Sequence, residues 1–232
     1  MTNNTKRQTR KAGKTAFVAS FILFVSAFWS CTNDNYDSGD GTYSYLRAEF
    51  VMTHIANDST IDYAINDDDR RIDFKKTFKP RWTTTTDSLY RALLYYNDKP
   101  EGAEVIKLTQ VYMLTPIDTS KVAKFVFDPV NFESSWISAN ENYLNFSFFI
   151  KMGKPDDEDA HHSIGILSET PDESTCLFTL YHDQGGVPEY YSTHVYASIP
   201  LTDEMRQKNL RLVVNTYGGP VIKDYPAPTT AH

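Results

Sequence analysis

Across residues 44–53, apolar side chains fall on every second position, Leu46, Ala48, Phe50 and Met52, with Arg47, Glu49 and Thr53 on the alternate positions. A repeat of two is the mark of a strand with one buried face. Residues 61–65 and 71–75 predict two short strands, and Asn66-Asp67-Asp68-Asp69-Arg70 between them predicts a turn, because Asn and Asp side chains bond backbone amides a few residues on. Residues 89–96 form a denser apolar run that suits a strand covered on both faces. Ile106, Leu108, Tyr112 and Leu114 alternate along a fifth strand, with Gln110 as its polar break. Five such strands predict a small closed or partly closed barrel.

Residues 115–131, with Pro116 and Pro129, lose this alternation and predict a boundary between two units. Alternation then returns. Leu144, Phe146, Phe148, Ile150 and Met152 make one apolar face against Tyr143, Asn145, Ser147 and Lys151, and Phe146 and Phe148 are expected in the core. Further strands are predicted at 163–167, 176–182, 191–199 and 210–215, separated by Pro, Asp and Gly, as a β-sandwich requires. A single short helix is predicted at 203–208, with Thr202 as its cap. The fold class is therefore all-β.

The N-terminus follows another pattern. Lys6, Arg7, Arg10, Lys11 and Lys14 precede an uncharged apolar stretch over 16–29, which is too short for an ordinary membrane span. Ser30 and Cys31 follow, and Phe28-Trp29-Ser30-Cys31 resembles a bacterial lipobox. The resemblance implies a signal peptide over 1–30 and acylation of Cys31, with palmitate-type chains contributing about 0.8 kcal/mol of membrane affinity per buried methylene. Residues 31–42 are polar and glycine-containing and serve as a tether. Asp34, Asp37 and Asp40 resemble the export signal that carries lipoproteins of Bacteroidota to the outer face of the outer membrane. The periplasmic face is the alternative, with these acids as a solvated linker.

The 232 residues carry a formal net charge of −7, and removing 1–30 leaves 18 basic against 30 acidic groups, or −12. Such a surface repels nucleic acid, so no nucleic-acid partner is expected. Cys176 lies in line with Phe178 and Leu180 and reads as a small buried hydrophobe. The lipoprotein start, the five-strand barrel, Tyr143-Leu144-Asn145-Phe146, His162-Ser163-Ile164 and Leu180-Tyr181-His182-Asp183 together resemble the NigD-like family. That resemblance implies an OB-like barrel over 43–117, a β-sandwich over 118–220 and a flexible tail over 221–232. The helix such a barrel carries between its third and fourth strands is not evident, since 77–86 holds Pro80 and four consecutive threonines. The family takes its name from a bacteriocin locus, which implies an immunity-type role.

Candidate chemistry is sparse. Asp156, Asp157, Glu158, Asp159, His161 and His162 are dense enough to suggest a metal, but adjacent histidines at a strand start point to opposite faces, so a charged loop is expected and no metal or cofactor. His162 and His182 can meet across paired strands as hydrogen-bonded structural residues. No nucleophile elbow, metalloprotease motif or phosphate loop is present, and the protein is not expected to be an enzyme. The expectation is a non-catalytic lipid-anchored surface protein that recognises a protein partner through the loops 154–161 and 183–189, with Asp157, Glu158, Asp159, Tyr190 and Tyr191 as contact residues. The alternative is a glycan-binding accessory module in which Trp82 and Tyr96 stack on sugar.

Overall fold

The computed structural model describes residues 46–55, 60–82, 88–121 and 125–228. The predicted signal peptide, Cys31, the predicted tether with Asp34, Asp37 and Asp40, and the last four residues lie outside them. The first five strands are β1 (Leu46–Ile55), β2 (Ile61–Asn66), β3 (Arg71–Phe78), β4 (Ser88–Asn97) and β5 (Glu104–Gln110). They form one sheet in the order β3-β2-β1-β4-β5, with antiparallel neighbours throughout. β1 lies against β4 along its whole length, from Leu46 opposite Asn97 to Ile55 opposite Ser88. The sheet curls until its two edges touch. Ala103 N–H donates to Asp73 O at 2.8 Å and Lys75 N–H to Ala103 O at 2.9 Å. Gly102 makes this contact possible, because its φ is +115° and a Cβ there would sit 3.1 Å from Lys75 N. Beyond that point the edges part, and the barrel is only partly closed.

The β2–β3 turn forms as its Asx residues require. Asn66 Oδ1 accepts from the amides of Asp68 (3.1 Å) and Arg70 (2.8 Å), and Asp69 takes the left-handed φ of 59°. The apolar alternation of β1 marks the other face from the one that fills the barrel. Val51, Thr53 and Ile55 point into it with Ile61, Ala64, Leu94 and Leu108, whereas Leu46 is exposed and Phe50 faces the second unit. From Phe50 to Ile55 neither face of the strand is open to solvent, so a reading based on one buried face selects the wrong one.

Among the described residues, the second unit holds nine strands. One sheet runs β14 (Val221–Tyr225), β13 (Asn209–Val214), β11 (Thr175–Asp183), β10 (Ser163–Asp172) and β7 (Ile117–Asp118). The other runs β6 (Tyr112–Met113), β12 (Tyr191–Pro200), β9 (Tyr143–Met152) and β8 (Asn131–Ile137). Leu144, Phe146, Phe148 and Ile150 face Ile166, Phe178, Leu180 and Leu212 across the core, with Cys176 buried among them. Helix α1 (Asp203–Arg206) is one turn, capped by Thr202 Oγ1 accepting from Met205 N–H at 3.2 Å.

Two boundaries move. Residues 112–117, read from sequence as barrel, supply strands to both sandwich sheets: Val111 N–H makes the last bond to β4, at Arg91 O, and β6 then pairs with β12. Val221–Tyr225, read as flexible tail, is the antiparallel neighbour of β13, and its mostly exposed side chains hide it from a test of periodicity. The stretch read as a boundary instead runs along the sandwich, bridging Phe127 to His182 and Val130 to Thr216.

Candidate functional site

Four segments meet at one end of the sandwich: the β9–β10 loop, the β11–β12 loop, the β13–β14 turn and the stretch that precedes β8. Glycines let the first two close on each other. At Gly185 (φ +57°) a Cβ would stand 2.0 Å from His161 O, and at Gly153 it would stand 2.7 Å from Pro188 O. Gln184 then fixes the β11–β12 loop, with its N–H donating to Asp128 Oδ2 (2.8 Å) and its amide nitrogen to Lys151 O (3.0 Å) and Val187 O (2.8 Å). Asn215 Nδ2 donates to Phe127 O at 2.6 Å, and Tyr217 OH reaches Glu189 Oε2 at 3.5 Å, which brings the turn alongside.

The floor of this end is the histidine pair that the sequence places on facing strands. His162 Nδ1 and His182 Nε2 are 3.0 Å apart, and His182 Nδ1 is 3.1 Å from Asp128 O. A carbonyl can only accept, so His182 carries its proton on Nδ1 and His162 donates to His182 Nε2. His162 Nε2 is then left as a buried acceptor without a donor among the described residues. Burial first, and the neighbouring His182 second, hold His162 below the ordinary imidazole value, against the opposing pull of the Lys151 backbone and Asp183. The pair joins the ends of β10 and β11 to the 126–128 stretch, a structural task that needs no bound substrate.

Above the floor the side chains are open to solvent. Tyr190 is 78% exposed, Tyr191 57% and Tyr217 49%. Asp157, Glu158 and Asp159 are exposed in the adjoining loop, where Asp157 Oδ1 accepts from Asp159 N–H at 3.0 Å. The predicted contact residues of the two loops thus share one end of the molecule. Tyr217 joins them without having been singled out from sequence, because its neighbour Glu189 lies far away along the chain. Among the described residues, no group of three or more His, Cys, Asp and Glu side chains is arranged to hold a metal.

Trp82 and Tyr96 belong elsewhere. Tyr96 is 0% exposed, so its ring has no free face for a sugar. Its hydroxyl donates to Glu49 (2.8 Å) and accepts from Arg70 (2.6 Å), and burial with the Glu49 carboxylate pushes it up to about 12. Trp82 packs on the barrel core with its ring 5.8 Å from Tyr90. The reason for the Tyr96 correction is the barrel's curl, which turns its ring inward, whereas Trp82 is half-buried.

Two other constellations carry charge or nucleophilic atoms. Arg91 on β4 is 2% exposed and donates to both carboxylate oxygens of Asp67 (2.6 and 2.7 Å), to Asn145 Oδ1 (3.1 Å) and to Ser198 Oγ (3.3 Å), with Tyr143 stacked at 4.0 Å. It pins the β2–β3 turn and β4 to the outer face of β9 and β12, beside the edge-on contact of Phe50 with Trp136 at 5.1 Å. The sequence reads Asp67 as a solvated turn residue; its partner lies on another strand and was not visible locally. On β8 and β9, Glu133 Oε2 stands 2.7 Å from both Ser147 Oγ and His194 Nε2. Here the carboxylate separates hydroxyl from imidazole, the reverse of the order that activates a serine.

These features define a class of protein: an all-β chain with a partly closed five-strand barrel docked on a β-sandwich, whose accessible functional groups lie on loops at the sandwich end. Residues 113–225 match the model of the NigD-like C-terminal beta sandwich domain. The fold is shared with a NigD-like immunity protein from Bacteroides caccae (21% identity, 78% of this chain and 96% of that one, TM-score 0.61). It is also shared with a provisionally assigned toxin-related protein from Parabacteroides distasonis (16%, 80% and 96%, 0.56) and a provisionally assigned lipoprotein from Bacteroides fragilis (13%, 80% and 99%, 0.54). At these identities the likeness is one of fold. No curated protein sequence matches the chain.

Proposed function

We propose that the protein is a non-catalytic, lipid-anchored cell-surface protein that recognises a protein partner through the loop end of its sandwich, in an immunity-type role. The observation that carries this reading is the cluster of exposed tyrosines, Tyr190, Tyr191 and Tyr217, on loops locked to a rigid two-sheet frame. Large aromatic side chains held out to water on a fixed support are what protein interfaces use as anchors. The immunity protein with the same fold supports the role, and the lipoprotein with the same fold supports the anchor at Cys31. Among the described residues no helix is long and apolar enough to cross a membrane; attachment in this reading is through acylation of Cys31, at the end of the apolar stretch 16–29. The acids Asp34, Asp37 and Asp40 direct it to the cell surface.

Cross-linking on intact cells tests the reading. The parent chain should capture a protein that is lost when Tyr190 and Tyr191 are changed together to Ala, while Cys31→Ala abolishes fatty-acid labelling. Capture unchanged by the tyrosine replacements would move the binding surface elsewhere. Retention on polysaccharide in place of protein would replace this reading with the glycan-binding one.

A further inference from the structure

We infer that the opposite end of the sandwich binds a small carboxylate with an apolar body, such as a medium-chain fatty acid, in a cavity between the two sheets. Here β9 begins and β12 ends, with Tyr143 opposite Pro200, away from the loops that carry the tyrosines. The cavity has a volume of about 240 Å³, and its apolar lining is Ile137, Leu201, Leu210, Tyr225, Pro226 and Pro228. Bonds behind the lining hold these walls in place. Tyr225 OH donates to Ser135 Oγ and so ties β14 to β8 across the layers. Leu201 N–H donates to Asn142 O at 2.9 Å, and Ala227 N–H to Asn209 Oδ1 at 3.0 Å. Pro226 and Pro228 have no N–H with which to continue the β13 ladder, and the chain beyond β14 forms a wall of the cavity instead.

Three charged side chains share these walls, Arg206, Lys208 and Glu141, for a net +1. One negative charge balances that sum, and the apolar remainder suits a hydrocarbon body behind it. The side chains of Arg206 and Lys208 are mostly covered, whereas their acids Asp203 and Glu204 stand mostly in water. Ion pairs whose acid is solvated contribute little, so an entering carboxylate exchanges with Asp203 or Glu204 at small cost. Arg206 is also aimed, because the neutral Asn142 Oδ1 accepts from it. The volume lies below the roughly 300–1,000 Å³ of sites for drug-sized ligands, which limits the guest to a small molecule. Leu201 and Leu210 belong to the sandwich core, so the cavity is a side opening of that core, and its fixed walls leave little to be ordered on binding.

Titration of octanoate into the purified full chain, carrying Cys31→Ala so that no acyl chain of its own competes, tests this by methyl NMR. The methyl signals of Ile137, Leu201 and Leu210 should shift together and saturate. 1-Octanol keeps the body and lacks the charge, and it should bind roughly tenfold more weakly. Acetate keeps the charge and lacks the body, and it should leave these signals in place. Lys208→Met should weaken octanoate roughly tenfold, while Glu141→Gln, which removes the one opposing charge, should tighten it roughly twofold to threefold. A variant that is merely less stable cannot bind more tightly, so the second change separates charge from folding. Unmoved signals at the three residues, equal affinity for octanol and octanoate, an affinity indifferent to Lys208→Met, or weaker binding in Glu141→Gln would each overturn the assignment.

Discussion

Asp67→Ala removes the counter-ion of a guanidinium that solvent does not reach, since the Arg91 side chain is 0% exposed and that of Asp67 15%. Two charge-assisted hydrogen bonds, at 2.6 and 2.7 Å, disappear, and the remaining partners are the neutral Asn145 and Ser198 and the Tyr143 ring. Hydrogen bonds to charged groups contribute about 1.5–3 kcal/mol each, and stranding one half of a buried ion pair costs about 3–5 kcal/mol. The expected loss is therefore about 3–5 kcal/mol, or roughly 6–20 °C in midpoint for a unit of this size. Urea unfolding followed by the fluorescence of Trp136, which sits against Phe50 at the contact between barrel and sandwich, reads the change where it arises. Because Arg91 bridges the two, its release should also split one cooperative transition into two. The double variant Asp67→Leu with Arg91→Met, which buries no charge, should lie close to the parent. A loss for Asp67→Ala below about 1 kcal/mol, or no larger than that of the exposed Asp156→Ala, would refute the reasoning.

Phe148→Ala should cost about 3–5 kcal/mol, because its side chain is fully buried and stacked on Phe146 at 5.6 Å; an unmoved unfolding midpoint would contradict the packing. The depressed His162 gives a pH dependence of definite sign: the unfolded chain takes up a proton near pH 6.5 and the folded one only at lower pH. Stability from this group is complete above about pH 6.5, declines as pH falls from there toward the folded value, and is constant below it. Thermal midpoints of the parent and His162→Gln between pH 5 and 8 should converge on the acid side; parallel curves would remove His162 as the source.

Strands whose two faces differ in polarity were legible in advance. β9, with Phe146 and Phe148 inward, and β11, with Cys176, Phe178 and Leu180 inward, lie where the alternation puts them. β8 and β14 were not, because Asn131–Ile137 and Val221–Tyr225 lie at sheet edges, where hydrogen bonding to one neighbour holds a strand with little apolar demand. Of the loop residues, Tyr190 and Tyr191 were readable from their place after a Gly-Gly-Val-Pro turn. Tyr96 was misread because composition reports aromatic content and not the direction of sheet curvature. Arg91 escaped for the reason that buried ion pairs usually do: its four partners come from Asp67, Tyr143, Asn145 and Ser198, scattered over the chain and brought together only by the docking of two units.

The path of residues 111–118 limits how this architecture can be taken apart. The chain leaves the barrel at Val111, lends β6 to one sheet of the sandwich through parallel pairing with β12, then lends β7 to the other through parallel pairing with β10. A fragment beginning after Asp118 would lose a border strand from each layer at once and bare the backbone amides of β12 and β10 to any passing chain. Genetic exchange of the sandwich as a separate module must therefore carry the exit of the barrel with it. On the ribosome β6 and β7 emerge directly after the barrel, so each sheet acquires its margin from a segment synthesised well before the strand it protects, and both closures are long-range events late in folding.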